Sequence, residues 1–246
     1  MTTLRRPSLL IIALALCCSA CAAAQVNENR KEADKGQDVG DDSGLSDDQI
    51  VAGLKQALEF GTGKAVALAS KSDGFLNNEA TRILLPTKLQ SVGKAMRLLG
   101  EGETVDDLEI GMNRAAERAT PQAKQIFLDA IKKMNVTHTG ARHILAGGDT
   151  AATEYFQQTC SADLTAAFSP IVHGALQRTG VIKKYDHVIK TAPGGNAIAN
   201  EFDLDKYVVG KTLDGLFYLL GQEEIQIRTT PAAQTTPLLK EVFSSK

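Results

Sequence analysis

The sequence predicts an all-α fold, a single compact multi-helix domain of about eight to ten helices behind a signal segment and a flexible tether. Three observations predict it. From Ser46 onward apolar residues recur at helical spacing, and no stretch shows the alternation of a half-buried strand. Helix-entry signatures repeat: Ser46 with Gln49 three residues on, then Thr-Pro at Thr120-Pro121, Thr230-Pro231 and Thr236-Pro237. In each of the latter, threonine is a cap and proline suits the first helical position. Residues 1–44 differ in composition from everything after them, which marks a boundary.

The N-terminal stretch carries Arg5-Arg6, the apolar run SLLIIALAL and then small residues. A charged region, an apolar region and a small-residue cleavage site are the parts of a secretory signal. The apolar run is shorter than the about 20 residues a membrane span requires. Three of the four cysteines crowd into Cys17, Cys18 and Cys21. Cys18-Ser-Ala-Cys21 spells C-x-x-C, but no second ligand pair and no βαβ context accompany it, so metal or redox chemistry has no scaffold. CSAC instead resembles the bacterial lipobox, with Cys21 as the lipidated new N-terminus. Cys18 stands where that motif more usually has leucine. Ordinary cleavage after Ala22-Ala23-Ala24 is the rival reading. Lipid on Cys21 would hold the protein to a membrane, stably only if several chains are attached. Ala22 after Cys21 points to the outer membrane, facing the periplasm; a soluble periplasmic protein is the alternative.

Residues 21–44 have almost no larger apolar residue beyond Val26 and Val39. They cannot bury enough surface to offset ordering entropy, so they read as the tether between signal segment 1–20 and domain 45–246. Cleavage before Cys21 removes Arg5 and Arg6 from the 27 basic residues and none of the 29 acidic ones, leaving 25 against 29. A mildly acidic chain offers no basic stripe for nucleic acid. Absent tryptophan argues against a carbohydrate-stacking platform.

In the domain, Ser46 and Gln49 form a capping box, with Asp47 and Asp48 at the positive end of the helix dipole. Ile50, Val51, Leu54, Ala57 and Leu58 give this first helix its apolar stripe. Residues 72–86 are irregular. A second helix turns Leu89, Val92, Met96 and Leu99 inward and stops near Gly100. Thr104 opens a third, which Thr120-Pro121 is expected to break and restart. TGARHILAGG, DTAATEYFQQTC, SADLTAAFSPIVHGALQRTG (bent near Pro170) and VIKKYDHVIKT supply further helical stretches. APGGNA is a loop. A long helix from about Asp203 to Arg228 and a short one from about Pro237 complete the domain.

Few residues carry a chemical signal. Gly147-Gly148-Asp149 reads as a glycine stop followed by a helix cap at Asp149. His138, His143, His173 and His187 show no ligand spacing, so no metal and no cofactor is expected. No nucleophile elbow, zinc-protease motif or phosphate loop occurs. In the long helix, Val209, Leu213, Leu216 and Leu220 form an apolar seam that Glu223 continues at one end and Asp205 at the other. Such carboxylates must leave the core, pair with a cation such as Arg82, Arg114 or Arg142, or serve as a functional acid. Glu224 reads as a solvated neighbour of Glu223. The loop FLNNEATRILLP needs its backbone tied down by side chains such as Asn77, Asn78 and Arg82, which are also the candidate binding-loop residues.

FLNNEATRILLP, NRAAERATPQAKQIFLDAI, GGDTAATEYFQQT, LTAAFSPIV and YVVGKTLDGLFYLLGQEEIQIRTTPAAQTTPLLKEVF together resemble a bacterial family designated domain of unknown function 4197. The resemblance spans residues 45–244. It implies secreted or lipid-anchored helical proteins and supplies no catalytic residues. The expectation is a lipid-anchored envelope protein acting as a binding or adaptor module, with an envelope protein or an apolar small molecule as partner. A carrier of a small apolar ligand or lipid, and an envelope enzyme using Glu223, are the alternatives. A carrier requires a mostly apolar pocket, an adaptor an exposed apolar patch, and an enzyme a convergent site around a carboxylate.

Overall fold

The computed structural model describes residues 44–192, 195, 197 and 202–244. The signal segment, Cys21 and the tether up to residue 43 lie outside the described residues, as do three positions of the APGGNA loop. The described residues form eight helices and no strand: α1 (Asp47–Ala69), α2 (Thr87–Leu98), α3 (Gly102–Lys133), α4 (His138–Ala146), α5 (Ala151–Arg178), α6 (Val181–Thr191), α7 (Leu204–Thr229) and α8 (Pro237–Phe243). A short 3₁₀ turn, Pro231–Ala233, joins the last two.

Local chemistry sets most of the boundaries. Ser46 Oγ accepts from Gln49 N–H while Gln49 Oε1 accepts from Ser46 N–H, so the capping box opens α1. Asp203 caps α7 through Lys206 N–H, and Thr236 caps α8 through Leu239 N–H. Two features differ from expectation. α3 runs unbroken through Pro121, and α5, with Pro170 inside it, joins across Cys160-Ser161 two stretches that read separately. An interior proline costs about 3 kcal/mol. Around Pro121 the buried Ala115, Ala116, Ala119, Thr120 and Ala123 all face the core, so tertiary packing outweighs the local penalty. Leu99, expected inward, is instead 60% exposed, because α2 ends at Leu98 and the chain turns at Gly100 with φ 84°.

The four long helices form the body. α3 packs on α1 and α5, and α7 packs on α1 and α5. Where α3, α5 and α7 meet, Phe127, Phe156 and Phe217 form a three-ring node with centroids 5.4–5.6 Å apart. Two of the contacts are edge-on, and each such pair contributes about 0.5–1.5 kcal/mol beyond area burial. The short helices close the ends: α4 and α8 lie on α1, α2 on α3, and α6 on α3 and α5.

The segment between α1 and α2 turns back at Asp73, which adopts φ 69°. A Cβ on Gly74 would lie 2.6 Å from Leu68 O, so only glycine fits there. The segment then inserts Phe75 and Ile83 into the core, both fully buried.

Candidate functional site

Two carboxylates are buried almost completely, and neither is a carboxylate that the sequence singles out. Glu117 of α3 accepts from Phe75 N–H and Leu76 N–H, both at 3.2 Å, and pairs with Arg114 Nη1 at 2.8 Å. Arg114 reaches on to Asp73 at 2.7 Å, and its pKa is raised, first by the Glu117 hydrogen bond. One turn earlier Asn113 clamps Ile83, accepting its N–H and donating to its carbonyl, each at 2.8 Å. Glu109, one turn earlier again, meets Arg82 at 2.9 Å. Glu109, Asn113 and Glu117 thus form a polar stripe at four-residue spacing that holds segment 70–86 onto α3.

Glu224 corrects the expectation of a solvated neighbour: its side chain is 2% exposed. Its two oxygens accept from Ala152 N–H at 2.9 Å and Thr153 N–H at 2.7 Å, the first turn of α5. Arg228 neutralises it at 2.8 Å and donates to the carbonyls of Ile144 and Leu145 at the end of α4. Asp149 is exposed and is not the cap: the N-cap position is Thr150, whose side chain makes no capping bond. Glu224 does that work from another helix.

Glu223 lies on the other side of α7, 15% exposed, with Oε2 2.9 Å from Lys64 Nζ of α1. Lys64 also sits 5.4 Å over the Phe60 ring. Asp205, at the start of α7, pairs with His173 Nδ1 of α5, and His173 Nε2 lies 2.9 Å from the Gln177 amide. The two carboxylates therefore have separate partners and are not brought together. In the loop, Asn78 Oδ1 accepts from Ala80 N–H at 3.1 Å, and Asn77 is tied through its backbone N–H to Asp73 O. His138 meets Asp48 at 3.1 Å. Among the described residues no cluster of three His, Cys, Asp or Glu could hold a metal ion, and no helix is long and apolar enough to cross a membrane.

A groove of about 440 Å³ with a largely apolar floor lies between the C-terminal part of α3 and the middle of α5. Ile126, Ala130 and Met134 line it from α3, and Cys160 and Leu164 from α5. Its rim is exposed and polar: Asp129 and Lys133 on one wall, Thr159 and Asp163 on the other. Ala167, also exposed, closes one end without bulk. The Cys160 thiol is pushed up, first by burial and then by the Asp163 carboxylate. Neither Glu223 nor Asp205 lines this groove. Nothing in the sequence singles out Cys160 or pairs the two walls. The one available signal was Ile126, Ala130 and Ala167, apolar residues on the outer edges of their stripes.

The chain matches the model of a family described as a protein of unknown function, DUF4197, over residues 44–244. No curated protein and no solved structure matches it.

Proposed function

The chain belongs to the DUF4197 family, and from that premise we propose that its domain acts by binding, with the α3/α5 groove as its seat. The observation that carries this is an apolar floor beneath a charged, solvent-open rim, with a volume inside the range of about 300–1,000 Å³ typical of small-molecule sites. The exposed large apolar residues do not favour a flat adaptor surface instead. Leu68, Leu84, Leu98, Leu99, Ile110 and Tyr218 come from α1, the 70–86 segment, the end of α2, α3 and α7. Apart from the Leu98-Leu99 pair they are separated along the chain, and singly exposed apolar residues are ordinary. The reading is a binding module of the bacterial envelope, exported by the segment 1–20, lipidated on Cys21 and given reach by the tether ahead of the domain.

Ala167→Trp tests the seat. The position is exposed, so a bulky side chain fills the groove without entering the core. Native mass spectrometry of the gently released protein should show a small non-covalent adduct that vanishes in Ala167→Trp. A wild-type protein with no adduct, or an adduct that ignores the substitution, would sink the groove as the seat. Anchoring has a separate test. Cys21→Ser should move the protein from the membrane to the soluble fraction and lower the mature mass by the acyl groups. An unaltered distribution and mass would leave plain secretion.

A further inference from the structure

We infer that the groove takes an amphiphile whose apolar chain lies along the floor and whose head carries a cationic amine held between Asp129 and Asp163. The inference rests on the groove being a binding seat and adds the chemical class of what it seats. Residues 126–134 of α3 and 159–167 of α5 line facing walls, so the trough is about 12 Å long at 1.5 Å per residue. That length suits a short alkyl chain and is only about two turns of a partner helix. The floor is suited to such a chain: Ala130 leaves room, and Met134 is an adaptable gap-filler.

Charge selects the head. Asp129 and Asp163 stand on opposite walls and Lys133 is the one basic residue on the rim, which leaves a net charge of −1. Asp129 Oδ1 is engaged by Gln125 Nε2 at 2.8 Å, a neutral donor. Lys133 follows Asp129 by four residues on the same wall, so the opposite wall, with Asp163, carries no basic residue. The Asp163 field reaches the floor, where it adds to burial in raising the Cys160 thiol. A ligand carboxylate set against these two oxyanions would be repelled, whereas an ammonium would be attracted, the more so beside an apolar wall that displaces water.

Isothermal titration of the full exported chain with decylamine and with decanoate, both below micelle-forming concentration, separates the cases. Decylamine is protonated at neutral pH, as a lysine side chain is. It should bind more tightly than decanoate, and raised salt should weaken it. Asp129→Asn with Asp163→Asn should cost about tenfold in affinity, the combined effect of two exposed charge contacts. Both positions are exposed, and an unchanged melting temperature would show that the fold is kept. Ala167→Trp should abolish binding. Decanoate binding as tightly as decylamine overturns the inference. So does decylamine binding that the two asparagines leave unchanged. If neither ligand binds while a native adduct still depends on Ala167, the amine is wrong and the groove stands. If a basic amphipathic helical peptide binds where decylamine does not, the occupant is a protein segment and the inference fails.

Discussion

Cys160 shows how position alone sets the chemistry of a side chain. Its thiol lines the groove floor yet is only 7% exposed, and burial, then Asp163, raise its pKa above the ordinary thiol value. The thiolate is the reactive form, so a raised pKa lowers reactivity at neutral pH. The sign for stability follows: the neutral thiol's contribution is fully present below the unfolded-state pKa and is lost as pH rises through the folded one. Alkylation by iodoacetamide at pH 8 should therefore be at least about tenfold slower in the folded chain than in urea. Asp163→Asn should shift the pH–rate profile downward and quicken labelling, while burial retains most of the protection. A variant profile that overlays the wild type would mean the carboxylate is not felt at the thiol. Glu223 and Glu224 teach a related lesson. The two are adjacent in sequence, yet a step of one residue turns a side chain by about 100° on a helix. One therefore faces Lys64 of α1 and the other the buried start of α5.

At the scale of elements, Glu224 and Arg228 join three helices by their unsatisfied ends. The first N–H groups of α5 and the last carbonyls of α4 have no partners within their own helices. A carboxylate at the N-terminus and a guanidinium at the C-terminus also complement the two helix dipoles. Removing one member strands the other: Glu224→Ala leaves Arg228 buried and uncompensated, and the first turn of α5 without acceptors. Urea denaturation should show a loss of about 3–5 kcal/mol, the cost of breaking a buried pair. A loss below about 1 kcal/mol would mean water substitutes for the carboxylate. Asn113 and Glu117 perform a parallel task for segment 70–86, supplying acceptors to backbone N–H groups that no regular structure satisfies, while Glu109 pairs with the Arg82 side chain. Both devices place polar groups in a helix interior, where each is tolerable because every partner is present.

For the whole molecule, three of the four long helices, α3, α5 and α7, meet at the Phe127–Phe156–Phe217 node. Almost all of the fold class was legible: the helical period, the Ser46 box and the Thr236 cap each rest on interactions within a few residues. Pro121 misled because a local penalty of about 3 kcal/mol is smaller than the burial available to a long helix that packs along its length. The groove was not legible, since its walls are separated by the whole of α4 and meet only once α3 and α5 pack antiparallel. The sequence by itself determined an all-helical domain, the family and the entry points of several helices. Those depend on the order of nearby residues, through hydrogen bonds that span three or four positions. Only the tertiary structure decided which carboxylates are buried, what caps α5 and where a ligand could lie. Each of those depends on contacts between distant helices, fixed by how ridges and small residues let the helices approach, and no local pattern records that outcome.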